Sequence, residues 1–412
     1  MTVIQARDTS PTARASRPMA WLPLAAVLLG TGWGANQVTP MLLVYRQTLG
    51  LSTGTLEAVF GIYALGLIPG LLLAGPLSDA RGRRTVVVPA VALSLLASVL
   101  LITARYGVVP LFAGRFLAGV SSGAAFGAGT AWLREASRPP FGTASDHTAA
   151  RRAAIAMTSG FALGPLVAGL LAQWAPVPTV VPYLPHIAVM AVVLAALREA
   201  PETVPAGERP GLRLTPPGLR NPRFRRMVAP MAPWIFVAPA VAFALLPSVV
   251  GAEHATDGIA LTAAITALCA LAGVLIQPLA RRLDARGSWA ATVGLVVMAA
   301  GLVLAAVTAR AGQPWLLAPC AIVLGSAYGL CLVAGLVEIA RIADRRALAG
   351  LTATYYMLAY LGFAAPSLIV LGAHLASYTL LLLVVAALAL GTAAVVTRAA
   401  VRGSAGAGAG RP

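Results

Sequence analysis

The chain contains no lysine, and only 13 of its 412 residues are acidic, so charged side chains make up 10% of it. A water-soluble protein of this length needs more polar groups than that to cover its surface. With 59% hydrophobic residues and a mean hydropathy of +0.84, lipid is the expected solvent. Cysteine is scarce as well. Cys269, Cys320 and Cys331 lie in apolar runs without CxxC spacing or histidine-rich neighbours, which argues against a disulfide framework or a metal centre. The four histidines, His147, His186, His254 and His374, are scattered without nearby acids, and GxSxG, Walker and HExxH patterns are all missing. An enzyme is therefore not expected, nor a cofactor, and ATP is removed as a direct energy source.

The positive charge is all arginine, 30 residues that give a formal net charge of +17. They fall in short clusters between apolar runs instead of on one basic domain, which argues against nucleic acid as a partner. A helix needs about 20 mostly apolar residues to cross a bilayer. On that criterion twelve spans are expected, near 20–45, 56–77, 85–104, 108–133, 153–174, 177–197, 228–250, 259–280, 289–309, 315–339, 348–371 and 375–397. The alternation of a membrane barrel is absent, so the spans are helices. The expected fold is thus an all-α polytopic membrane protein. It divides into a tail (1–19), a six-helix half (20–197), a Pro-, Gly- and Arg-rich linker (198–227), a second six-helix half (228–397) and a tail (398–412).

Arginine also sets the expected orientation, because cytoplasmic loops retain positive charge. With both termini inside, the tails and alternate loops hold 3, 3, 4, 7, 3, 3 and 3 arginines in chain order, whereas the outer loops hold only Arg46, Arg105 and Arg310. The polar first twenty residues read as a cytoplasmic tail and not as a cleaved signal. A multi-pass protein of the cell membrane, monomeric, follows as the expectation. An internal echo supports two pseudo-symmetric halves: "DARG" at 79–82 recurs at 284–287, each copy between the second and third span of its half, and Phe126-Gly127 with Glu135 is echoed by Tyr328-Gly329 with Glu338.

The loop after span 2 reads "GPLSDARGRR" (75–84). Gly82 permits a tight turn and Gly75 the close approach of another helix. Asp79 can accept hydrogen bonds from a helix N-terminus, and Arg83 can pair with an acid across the interface between halves. Through Gly75, Leu77, Asp79, Gly82, Arg83 and Arg84 this stretch resembles the signature loop of the major facilitator superfamily, a fold of twelve transmembrane helices in two six-helix halves. The resemblance implies a conformational latch that holds the outward-facing state shut on the cytoplasmic side. Glu135 and Glu338 are placed like the acids that pair with such arginines, and "APETV" (200–204) is similar to the element that ends the first half in many members. The plainer role for the arginines is to fix topology alone. The second loop, "ARRLDARGS", lacks the basic pair.

Span 4 carries an arginine, Arg115, ahead of Gly119, Ser122 and Gly123. An arginine inside a membrane costs several kcal/mol unless it faces a cavity or an acid. The pattern resembles the family's fourth-helix motif, which implies a part in proton coupling; snorkelling to the outer surface is the alternative. Glu57 lies 22 residues before Asp79 and Arg115 lies 20 before Glu135, so both stand ~30 Å from the same ends of their helices. Glu57 is then either the proton-carrying partner of Arg115 or a charge on the first turn of span 2. Span 5, with Gly160, Gly164, Pro165 and Gly169, resembles the antiporter motif of exporter branches, although Ala168 and Arg151 replace glycines. Small-residue packing alone would also account for it.

These resemblances imply a secondary transporter of a small molecule, proton-coupled and exporting drug-like or amphipathic compounds. A metabolite importer or facilitator and a non-transporting receptor of the same fold are the alternatives. Span 1 lacks the acid frequent in drug exporters. The expected cavity residues are polar and aromatic: Trp33, Asn36, Gln37, Tyr63 and Phe126 in the first half, and Trp234, Tyr328, Tyr355, Tyr356 and Tyr360 in the second. Each serves equally well in helix packing.

Overall fold

The computed structural model describes residues 19–204, 218–251, 256–285, 289–342 and 348–408, and no strand occurs among them. Eleven helices there are long and apolar enough to cross a membrane. They coincide with expected spans 2 to 12: Thr53–Arg81, Arg83–Tyr106, Val108–Ser137, Arg151–Trp174, Val181–Glu199, Phe224–Val249, Gly258–Ala285, Trp289–Ala311, Pro314–Ile342, Gly350–Gly372 and Tyr378–Val401. Span 1 differs from expectation. It crosses in two pieces, Leu22–Asn36 and Val38–Leu49, that meet at Gln37. Pro40 is the cause we can name, since it has no N–H to offer the carbonyl of Asn36 and its ring crowds the preceding turn.

Glycine lets pairs of spans touch backbone to backbone. A Cβ on Gly119 or Gly123 of span 4 would lie 2.1 Å from the Tyr63 carbonyl oxygen or 2.3 Å from that of Leu67, both on span 2. The same relation recurs in the second half, where Gly325 and Gly329 of span 10 press on Cys269 and Gly273 of span 8. Likewise Gly160 and Gly164 of span 5 lie on Leu29 and Trp33 of span 1, and Gly362 of span 11 lies on Pro233 of span 7. Equivalent helices of the two halves thus use the same device, in lipid where apolar surface alone does not drive helices together.

The halves meet at the end of the bundle away from Gly82. There the Gln173 amide, on the last turn of span 5, donates to the Thr256 carbonyl (2.9 Å) and accepts from Ala260 N–H (3.3 Å) at the start of span 8. Gly169 abuts the Ala263 methyl and Pro40, and Phe60 of span 2 sets its edge against Phe243 and Phe363. This end is closed.

Gly164→Leu should force spans 1 and 5 apart and lower the melting temperature in detergent by at least about 2 °C. Gly75→Ala, whose added methyl would meet nothing within 4 Å, should leave it unchanged; equal effects from the two substitutions would refute the packing account.

Candidate functional site

Only Gly82 separates spans 2 and 3, and it turns with φ +104°, a conformation that favours glycine. The next residue, Arg83, is 9% exposed and fully engaged. Its Nη1 donates to Asp79 and to Ser78 Oγ (2.7 Å), while Nε and Nη2 form a fork on Glu135 at 3.1 and 2.8 Å. Thr203 adds a hydroxyl to Glu135 (2.5 Å). Glu202 lies over the start of span 3: one oxygen accepts from Arg83 N–H, Thr203 N–H and Val204 N–H, the other from Arg84 N–H, all at 3.0–3.1 Å. A carboxylate belongs there, where N–H groups lack helical partners and the dipole is positive. A Cβ at position 82 would stand 2.7 Å from Glu202, so both the turn and this contact require glycine.

Three details differ from the sequence reading. The carboxylate at the helix N-terminus is Glu202, and Asp79 serves the Arg83 side chain instead. Arg83 pairs inside its own half, because spans 2 and 4 pack closely enough to bring Glu135 to it. Gly75 has no close neighbour; the tight contacts of span 2 lie further along, at Gly66 and Gly70. Arg84 reaches the Arg198 carbonyl (3.0 Å) and Trp132 the Pro201 carbonyl (2.7 Å), so residues 198–204 are pinned to the first half.

The second half builds its cluster from other arginines. Glu338, 1% exposed, accepts from Arg223 (2.5 Å) and Arg341 (2.6 Å). Arg341 also donates to the Asp284 carbonyl (2.8 Å), and Asp284 Oδ1 accepts from Ala290 N–H (3.3 Å) at the start of span 9. The Glu338 hydrogen bond holds the Arg223 guanidinium above its ordinary pKa. Neither Arg223 nor Arg341 was foreseen; their signal is a basic residue within one turn of a span's end.

Inside the bundle, Arg115 is 2% exposed. It donates to the carbonyls of Ala35 (2.9 Å), Val59 and Phe60 (both 3.4 Å), and its guanidinium carbon lies 4.5 Å from the centre of the Tyr63 ring. The expected Arg115–Glu57 ion pair is not formed, since peptide oxygens exposed by the break in span 1 and by span 2 take the guanidinium. Glu57 is 2% exposed, its Oε2 has no hydrogen bond, and no partner is recorded for it among the described residues. Nor does it cap span 2, whose first turn is capped by Ser52 (3.2 Å to Thr55 N–H). A second buried set was missed in the sequence: Gln37 Nε2 donates to Ser98 (2.9 Å), Ser98 to His186 Nδ1 (2.8 Å), and His186 Nε2 to the Gly30 carbonyl (3.0 Å). The carbonyl can only accept, which fixes the proton on Nε2 and the direction of the chain. A lone histidine within an apolar span was the available signal.

A cavity open to solvent lies between the halves; the empty space within it, solvent included, is about 480 Å³. Of the ten residues expected to line it, Asn36, Tyr63, Tyr328 and Tyr360 do so, joined by Phe161, Phe236 and Phe363 among others. The remaining six are engaged elsewhere or do not reach it. Tyr355 is bonded to the Cys331 carbonyl (2.8 Å), Trp234 to Thr392 (3.2 Å), Gln37 to Ser98, and Phe126 packs on Phe161, while Trp33 and Tyr356 are absent from the lining.

Two six-span halves around a shared cavity, closed at one end, define a polytopic membrane transporter fold. Comparison with known proteins gives the family. The sequence profile of the Major Facilitator Superfamily matches residues 22–367. The chain belongs to that superfamily. Over 87 residues it is 36% identical to the multidrug resistance protein MdtL of Escherichia coli (strain K12 / DH10B) and of Shigella boydii serotype 18, a match covering 21% of this chain and 22% of the relative. Among solved structures it superposes on a POT family transporter in complex with 5-aminolevulinic acid (TM-score 0.75, 12% identity, 93% of this chain and 96% of that one). It also superposes on the nucleoside transporter NupG (TM-score 0.67, 14% identity, 92% and 98%). Its family and its fold are those of membrane transporters.

Glu202→Ala should free two N–H groups at the entrance to span 3 and two in its own segment, at Thr203 and Val204, and lower the melting temperature by about 2–4 °C. A melting temperature unmoved by this change would show that the carboxylate does not hold the loop.

Proposed function

We propose that this protein exports small amphipathic molecules from the cytoplasm in exchange for protons, as a monomer in the cell membrane. The excess of arginine at the Gly82 end supports placing that end and both termini in the cytoplasm. The closed end, with Gln173 and Phe60, then faces outward, and the cavity communicates inward. Export is supported by the likeness of one fifth of the chain to MdtL and by the small-residue face of span 5, where Gly169 sits at the contact between halves.

The observation that carries the coupling is Glu57, a carboxyl without partner beneath the closed end. A charge there has neither water nor counter-ion, so closure over Glu57 favours its neutral form. Opening of the outer end returns it to water. Arg115 holds the carbonyls of Val59 and Phe60, within one turn of Glu57, and rests against Tyr63 in the cavity wall. A substrate that displaces the Tyr63 ring moves Arg115 toward Glu57, which stabilises the carboxylate and releases the proton. In everted vesicles, Glu57→Gln should reduce proton-driven accumulation more than tenfold while counterflow stays within about twofold. Concentrative transport by the mutant would remove Glu57 from the coupling. Uptake down a gradient without proton movement would mark a facilitator, and no flux at all a receptor.

The Asp79, Arg83 and Glu135 cluster, with Arg84, serves as the latch in this reading. Asp79→Asn should slow transport several-fold and raise thiol labelling of cysteines placed in the inner cavity, with a smaller effect from Asp284→Asn. Unchanged rates and labelling together would dismiss the latch.

A further inference from the structure

We infer that the central cavity selects uncharged aromatic molecules carrying a hydrogen-bonding group and rejects permanent cations of the same size. The inference rests on the transport reading for its biological use, but the cavity can be tested by binding alone. Among the described residues no carboxylate or other charged side chain lines it. Its polar members are the Asn36 amide and the hydroxyls of Tyr63, Tyr328 and Tyr360. The Tyr63 hydroxyl is buried without a well-formed hydrogen bond, although Ser122 and Tyr360 lie beside it. A buried hydroxyl in this condition gains from a neutral partner of either polarity.

Aromatic rings attract cations through their faces, which carry the negative part of the quadrupole, while their edges are positive. Two of the ring faces nearest the cavity are already engaged. Phe236 stacks on Tyr360 at 4.3 Å between centroids, with Phe363 beside it at 4.8 Å. One face of Tyr63 is taken by Arg115 at 4.5 Å. A fixed positive charge lies directly behind one wall of the cavity. A cation entering there finds no counter-ion and Arg115 close by, in a medium that screens little. An anion meets an Arg115 that has already given three of its five N–H donors to backbone carbonyls. A neutral aromatic molecule packs on the lining rings and offers one polar group to Tyr63 or Asn36.

The test uses the full-length protein in nanodiscs and three probes: N-phenyl-1-naphthylamine, which is uncharged; 8-anilinonaphthalene-1-sulfonate, the same skeleton with a negative charge; and tetraphenylphosphonium, a permanent cation. Dissociation constants are measured by equilibrium dialysis, with empty nanodiscs subtracted. The uncharged probe should bind at least tenfold tighter than either ion, and Tyr63→Phe should weaken it about three- to tenfold. Asn36→Asp should raise tetraphenylphosphonium affinity at least fivefold, and this gain of binding cannot arise from misfolding. Tighter binding of either ion than of the neutral probe, or no binding of all three, would overturn the inference. Selective binding of the neutral probe by a protein that moves no protons would leave the inference standing and defeat the transport reading instead.

Discussion

The guanidinium of Arg115 is the contact on which the interior depends. Span 1 is interrupted at Gln37, where Pro40 has no N–H to give the Asn36 carbonyl. A broken helix in hydrocarbon leaves carbonyls that water cannot reach, each costing several kcal/mol if left bare. Arg115 takes the Ala35 carbonyl, next to that break, and two more on span 2, so one side chain ties spans 1, 2 and 4 together. Its position brings a fixed charge to the wall of the cavity, which then shapes what the cavity can hold. Remove it and the break, the closed end near Glu57 and the setting of Tyr63 lose their common support.

The two charged clusters at the other end show one task solved twice with different residues. Each half has a carboxylate at the N-terminus of its third span and an acid at the C-terminal end of its fourth span, held by arginine. The first half uses Glu202, Glu135 and the loop's own Arg83; the second uses Asp284, Glu338 and two arginines, Arg223 just before span 7 and Arg341 on span 10 itself. The glycine contacts between spans 2 and 4 and between spans 8 and 10 are equivalent in the same way. Duplication preserved the backbone requirement and let the side chains that satisfy it diverge.

Much of the fold was legible in the sequence, since hydropathy registers the solvent directly: the eleven long apolar spans fall within a few residues of the expected ranges. The loop was legible because a two-span turn with an acid, a glycine and paired arginines has few geometries, and Glu135 was correctly placed as a partner for Arg83. The break at Gln37 escaped because hydropathy averages over a single proline. Arg115 was assigned an acid at its own depth, whereas the fold offered it carbonyls, and no pattern of residue types reveals a backbone oxygen left free. The cavity was legible only in part, because helix rotation decides it. Tyr355 and Tyr360 are five positions apart on span 11, yet one is bonded to the backbone of span 10 and the other faces the space between halves.

The pinning of residues 198–204 bears on how the chain is made. Glu202 closes the entrance to span 3, Thr203 completes the shell of Glu135, and the Pro201 carbonyl receives Trp132. All of these bonds lie within the first half of the polypeptide. As synthesis proceeds from the N-terminus, spans 1 to 6 reach the bilayer first, but the loop between spans 2 and 3 lacks its acceptors until residue 204 has left the ribosome. The last few residues of the first half therefore act as its clasp, and every bond they make is available before span 7 leaves the ribosome.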